Sequence, residues 1–216
     1  MNEKNSLKEK KILFALNEQQ RKDLLETAKN TNYKHFLIIK TQLESGLRIS
    51  ELTNLLVDDL DTVNSTLLIT SKKGGKYNLA FSTKTITSNR AVPIPNNLCK
   101  ELRAFIGARK TGYIFETQKK NEKNKGRYNK RAVINLINSY AKHTDSIKKK
   151  IGSHTLRRTY ASFLLQQKIE IGTISTLLGH KNIGTTVRYL YGIYNPETMN
   201  EIKKVIKKMN VERKTN

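Results

Sequence analysis

The stretch "SHTLRRTYASFLLQQ", Ser153 to Gln167, sets a histidine, two arginines and a tyrosine within seven residues, directly ahead of an apolar run with helical spacing. Guanidinium groups stand against a core only where something satisfies their charge, so an anion is expected at the start of a helix over 154–167. The periodicity stays helical on both sides. "RAVINLINSYAKH" (131–143) precedes the stretch, and two shorter helices over 171–179 and 183–191 follow it, broken near Gly179 and His180.

The chain has 216 residues, enough for one sizeable domain. It carries 41 Lys and Arg against 18 Asp and Glu, a net charge of +23. Such an excess repels itself without a counter-charge. A polyanionic partner is therefore expected, with nucleic acid ahead of an anionic membrane surface. A single cysteine, Cys99, excludes an internal disulfide and fits a reducing, cytoplasmic setting. The longest apolar runs, such as "FLII" (36–39), are too short to span a bilayer, and the N-terminus makes a poor signal peptide.

From the N-terminus, residues 1–16 read as a loose, lysine-rich arm. Asn17 with Gln20 has the form of a capping box, and Leu24, Leu25 and Ala28 make the buried stripe of the next helix. A second helix is expected over 33–45, stopped by Gly46. "ISELTNLL" then repeats Ile49, Leu52, Leu55 and Leu56 at helical spacing. After Asp61 the texture changes. "STLLIT" (65–70), "YNLAF" (77–81) and "RAVPIP" (90–95) predict three short strands of an antiparallel sheet, with a turn in "SKKGGKYN" between the first two. "NNLCKELRAFIGAR" (96–109) is helical and "YIF" (113–115) extended. From Thr117 to Lys150 there are 11 Lys or Arg against 2 acidic residues, and the first half reads as a basic loop. A last helix is expected in "PETMNEIKKVIKKMN" (196–210). The fold class is thus mainly α with a small three-stranded antiparallel sheet, an α+β arrangement.

No metal-ligand spacing stands out among His35, His143, His154, His180 and Cys99. Asp58, Asp59 and Asp61 form the one acidic cluster and read as a solvated turn. There is no P-loop, no Gly-x-Gly-x-x-Gly and no serine-hydrolase elbow. Cations, histidines and hydroxyls remain, and they suit in-line displacement at a phosphodiester. Two arginines match the oxygens that gain charge. Histidine exchanges protons near neutrality, lysine can protonate a departing alkoxide, and a tyrosine beside cations can attack as its phenolate.

Order and spacing narrow the field. "SGLRISELTNLL" around Arg48, "SHTLRRTYASFLL" with His154 and Arg157, and "LLGHKNIGTTVRYLY" with His180 and Tyr189 together resemble the three boxes of the tyrosine recombinase (phage integrase) family. Gly-Leu-Arg with Ser-Glu-Leu is intact. Arg158 fills the variable last place of the His-x-Leu-Arg-His/Arg box, and Tyr189 stands nine residues after His180. The resemblance runs from about residue 17 to the end.

It implies that family's catalytic-domain fold and a site-specific DNA recombinase that integrates, excises or inverts a DNA element. In those terms Arg48 and Arg157 clamp the scissile phosphate, His154 serves proton transfer and His180 hydrogen-bonds the phosphate. Tyr189 attacks, forming a 3′-phosphotyrosyl link. No metal, nucleotide cofactor, membrane or small-molecule substrate is implied. The implied partners are double-stranded DNA and further recombinase protomers, as a tetramer on DNA. The general-acid lysine is assigned to Lys84, because Lys84–Thr85 with Arg90 and Pro93 matches the family's longer-hairpin pattern; Lys72 is the runner-up. Tyr191 and Tyr194 rival Tyr189, but Tyr191 lies about 200° round a helix from it.

Simpler readings exist for each residue. Arg48 could anchor to a helix end or to Glu51, Ser153 could be an N-cap with His154 a helix-start contact, His180 could be a helix C-terminal cation, and Tyr189 could be core packing. Residues 171–191 also have a helix-turn-helix pattern, so the alternative is a non-catalytic DNA-binding regulator. The expected division is a basic arm over 1–16, a catalytic domain over 17–195, and a helix and tail over 196–216. In that tail Met199, Ile202, Val205, Ile206 and Met209 share one face, suited to docking on a neighbouring protomer. Longer family members carry an extra N-terminal helical domain, so the chain is expected to be either a short recombinase or a fragment.

Overall fold

In the computed structural model, which describes residues 14–70, 89–117 and 126–191 with backbone alone at 188–191, the first helix opens on the expected capping box. Asn17 Oδ1 accepts from the Gln20 N–H at 2.8 Å and Gln20 Oε1 accepts from the Asn17 N–H at 3.1 Å, starting α1 (Glu18–Thr31). Leu24 and Ala28 of its stripe are fully buried, with Leu25 packed at the edge. The next helix, α2 (Tyr33–Ser45), stops at Gly46, which takes a left-handed φ of 61°. Leu37, Ile38, Ile39 and Leu43 are each at most 1% exposed, and Lys40, Thr41, Gln42 and Ser45 are buried with them, so α2 is buried on most sides. Four of the other helices pack against it.

The following helix, α3 (Ile49–Asn54), is shorter than its apolar spacing suggests. The Leu55 carbonyl accepts from the Ile114 N–H and the Val57 N–H donates to the Gly112 carbonyl, both at 2.9 Å. Pairing with the extended stretch around Tyr113 therefore replaces helical bonding at Leu55 and Leu56. Nor are the aspartates one solvated turn. Asp61 accepts from the N–H groups of Val63 and Asn64 at 3.0 Å, but Asp59 is only 2% exposed and accepts from the Leu56 N–H at 2.8 Å.

Three antiparallel strands lie in the order β1 (Leu60–Asp61), β2 (Thr66–Ile69) and β3 (Arg90–Pro93), with Leu67 opposite both Leu60 and Val92. Two of them were expected. The third expected strand, 77–81, lies outside the described residues with its turn, and β1 is too short for periodicity to reveal. The remaining helices are α4 (Asn96–Ile106), α5 (Lys130–Lys142), α6 (Ser153–Gln166), α7 (Ile171–Leu178) and α8 (Ile183–Tyr191), close to their expected bounds. Most of the basic loop and the helix expected over 196–210 lie outside the described residues.

Two contacts aim α6 and α7 at the α2–α3 turn. The N-cap of α6 is Gly152 rather than Ser153; Ser153 is the first helical residue, and its hydroxyl accepts from Gln42 Nε2 of α2 at 2.5 Å. Tyr160 and Ala161 of α6 bury against Ile174 and Leu178 of α7, so α7 ends beside the middle of α6. No helix among the described residues is long and apolar enough to cross a membrane.

Candidate active site

An α-helix leaves its last carbonyls without intrahelical donors. In α7 the chain closes part of this deficit itself. Gly179, at φ 66°, turns left-handed, so that its N–H donates to the Thr176 carbonyl at 2.9 Å and the His180 N–H donates to the Ser175 carbonyl at 3.0 Å. The next three carbonyls in order each receive an arginine from elsewhere. Arg90 Nε donates to the Leu177 carbonyl at 2.7 Å, Arg157 Nη2 to the Leu178 carbonyl at 2.5 Å, and Arg48 Nη2 to the Gly179 carbonyl. The helix dipole places partial negative charge at this same end.

Each arginine has its own support. Arg48 is the N-cap residue of α3, and its backbone N–H donates to Glu51 Oε2 at 2.7 Å. Arg157, in the second turn of α6, is 2% exposed; its Nη1 reaches the Gly46 carbonyl at 2.7 Å, so one guanidinium spans the α2–α3 turn and the end of α7. A Cβ at Gly46 would collide with the Tyr160 ring, so this turn depends on glycine for space as well as for φ. Arg90, the first residue of β3, donates from Nη1 and Nη2 to the two Glu51 oxygens at 2.9 Å. Arg48 Nη1 donates to Glu51 Oε1, also at 2.9 Å. Burial alone would raise the Glu51 carboxyl, but the hydrogen bonds and charge of Arg90, then of Arg48, outweigh it and hold the group below its ordinary value.

His180 completes the group. Its Nδ1 is 2.7 Å from the hydroxyl of Thr186, a residue with no exposed surface. Burial first, then the charges of Arg157, Arg48 and Arg90, pull its pKa down to about 4, against a smaller opposing pull from Glu51. The ring is therefore neutral at pH 7, which overturns the reading of His180 as a helix C-terminal cation. Three guanidiniums and one carboxylate leave the cluster with a net charge of +2. Its solvent-facing edge is Arg48, whose side chain is 37% exposed against 6% for Arg90.

The structure thus brings Arg48, Arg157 and His180 together. His154 stands one turn before Arg157 on α6; the residue is exposed, and partial desolvation, then Arg158 and Arg157, keep its pKa below the ordinary value. Tyr189 lies on α8, one turn beyond Thr186, with its side chain outside the described residues. Lys84 and Lys72 lie outside them altogether. Tyr160, the aromatic nearest the turn, is buried, and burial pushes its phenol up to about 12, so it is no nucleophile near neutrality.

Sequence alone does not join Glu51 and Arg90 in one site. It offers Glu51 only as an anchor for Arg48, and Arg90 only as a mark for placing Lys84. A strand-start arginine gives no hint that it crosses to a carbonyl 87 positions on.

Fold and site together define a mainly helical α+β domain that holds a +2 arginine cluster, buried except at Arg48, against the helix pair α7–α8. The chain belongs to the phage integrase family, whose model matches residues 15–193. Tyrosine recombinase XerA of Pyrococcus horikoshii is 30% identical over 207 residues, which is 95% of this chain and 64% of that protein. The crystal structure of XerA recombinase matches with a TM-score of 0.70 at 25% identity, over 88% of this chain and 62% of that one. XerH site-specific recombinase, in a post-cleavage complex with a palindromic difH substrate, matches with a TM-score of 0.68 at 19% identity, over 91% of this chain and 54% of that one. The chain spans less than two thirds of the length of these relatives.

Proposed function

We propose that this chain is the catalytic domain of a site-specific DNA recombinase, which cuts and rejoins duplex DNA through a 3′-phosphotyrosyl intermediate on Tyr189. One observation carries the reading: three arginines from three separate elements meet at the end of α7, two of them buried. A phosphodiester carries one negative charge and gains a second as its non-bridging oxygens take up charge during in-line attack. A net +2 that costs no reorganisation is complementary to that transition state.

In this mechanism the Tyr189 oxygen bonds to phosphorus as the bond from phosphorus to the 5′ oxygen breaks. His154 takes the phenol proton, and Lys84 gives a proton to the departing 5′ oxygen, which leaves as a hydroxyl. Arg48, at the solvent edge, meets the phosphate first, and Arg157 supports it from below. His180, neutral, donates a hydrogen bond to a phosphate oxygen. The bond energy is kept in the phosphotyrosyl link, so a 5′-hydroxyl from a partner strand reverses the step. Duplex DNA as substrate is supported by the +23 charge and by the DNA-bound state of the structurally similar XerH. Residues 17–195 form the catalytic unit in this reading. The helix and tail over 196–216 dock on the next protomer of a tetramer assembled on DNA in the cytoplasm.

The α7–α8 pair also has the form of a helix-turn-helix. A non-catalytic regulator, however, has no use for Arg157 and Arg90 buried at the end of its first helix. Incubation with a nicked target duplex, which traps cleavage by loss of the short released strand, tests the choice. A denaturation-resistant protein–DNA adduct is expected. Tight sequence-specific binding with no adduct on any such duplex would favour the regulator.

A further inference from the structure

The hydroxyl of Thr186 bears directly on which nitrogen of His180 carries the proton. Thr186 has no exposed surface, and its hydroxyl has a single hydrogen-bond partner among the described residues, His180 Nδ1 at 2.7 Å. Threonine hydroxyls in helices commonly donate to the carbonyl four residues back, as Thr159 does to Thr155 and Thr176 to Gly172. Thr186 makes no such bond. If Nδ1 carried the proton, it would donate to the hydroxyl oxygen, and the hydroxyl hydrogen would be left buried with no acceptor, which costs about 1–3 kcal/mol. If Nδ1 is bare, the hydroxyl donates to it and both groups are satisfied.

We propose that Thr186 is a positioning residue that donates to His180 Nδ1 and so holds the ring as the Nε2–H tautomer, a fixed hydrogen-bond donor for a phosphate oxygen. The assignment of the phosphate as acceptor rests on the recombinase reading above; the tautomer assignment does not. The arginines around the ring fit the same role. Burial first, and then their charges, keep the imidazole neutral, so that it carries one proton, and the bond to Thr186 selects where that proton sits. The bond also joins two parts of the site. Thr186 sits in α8 one turn before Tyr189, and His180 sits in the turn that α7 and the arginines hold. The second threonine of "GTTVRY" (184–189) thus gains a physical purpose that its spacing to the tyrosine does not reveal.

The test uses the intact chain. Two-bond proton–nitrogen NMR correlation on ¹⁵N-histidine-labelled protein at pH 7 reports the His180 tautomer without DNA, and cleavage of a nicked duplex reports the single-turnover cleavage rate. The wild type is expected to show protonated Nε2 and bare Nδ1. Thr186→Val, nearly isosteric, is expected to shift the ring toward Nδ1–H and to lower the cleavage rate by about 10²-fold, the scale of removing one donor to developing charge. Thr186→Ser should restore both. A wild-type ring protonated at Nδ1 overturns the proposal, even if the valine variant does not fold. So does a valine variant whose tautomer and cleavage rate match the wild type. Absence of any adduct from the wild type, with the tautomer as expected, counts against the recombinase reading and leaves the Thr186–His180 assignment standing.

Discussion

Glu51→Gln keeps the shape of the side chain and removes its charge, and the structure sets the size of the effect. Glu51 accepts four bonds: the Arg48 N–H at 2.7 Å, and Arg48 Nη1, Arg90 Nη1 and Arg90 Nη2 at 2.9 Å each. Its side chain is 13% exposed, so water replaces little of this. Glutamine has one acceptor oxygen. Whichever way its amide turns, Arg48 and Arg90 each lose one bond and face an NH2 group instead. Charge-assisted bonds contribute about 1.5–3 kcal/mol each. Removing one partner of a buried ion pair costs about 3–5 kcal/mol. The two lost bonds give about 3–6 kcal/mol and the ion-pair route about 3–5 kcal/mol, read as the shift in urea unfolding followed by circular dichroism at pH 7.

The same variant has a pH signature. The Glu51 carboxyl is depressed in the folded state, so its contribution is complete above the unfolded value of 4.5 and is lost as pH falls through the folded value. The gap between wild type and variant should therefore be widest near neutrality and close in acid below that point. A gap under about 1 kcal/mol at pH 7, or one that does not change down to acid pH, would refute the scaffold role assigned to Glu51.

Three further perturbations probe other parts of the account. Gly46→Ala forces a Cβ into the Tyr160 ring at φ 61°, and a loss of about 1–3 kcal/mol in thermal unfolding is expected; an unchanged midpoint would mean the turn is free to move. Arg157→Lys offers a point charge where a fork now spans the Gly46 and Leu178 carbonyls. Adduct formation should fall by about 10²–10³-fold with helicity intact, and wild-type rates would exclude Arg157 from the clamp. Binding of a non-specific duplex should weaken by about three to five orders of magnitude between 50 and 200 mM salt if six to ten phosphates are contacted, and a salt-independent affinity would remove the phosphate backbone as the main contact.

The helices and their ends were legible because local rules govern them. Asn17 with Gln20 and the left-handed Gly46 act within a few residues, and the structure keeps both. Reading failed where a distant segment competed for the backbone. Leu55 and Leu56 have helical spacing, yet their backbone pairs with residues near Tyr113; β1 exists only because Leu67 is there to pair with; Asp59 is buried because it caps the turn before it. The site divides in the same way. The boxes named Arg48, Arg157 and His180, which the fold gathers at one helix end. The bracing of Glu51 by Arg90 and the sharing of three carbonyls among three arginines join β3, α3 and α7, and no sequence window contains all of them.

Protease digestion of the trapped protein–DNA adduct, followed by mass analysis of the nucleotide-bearing peptide, locates the nucleophile. The account predicts that the nucleotide mass sits on Tyr189 and that Tyr189→Phe forms no adduct while still binding duplex. An adduct on Tyr191, Tyr194 or Tyr160, or one that persists undiminished in Tyr189→Phe, would contradict it.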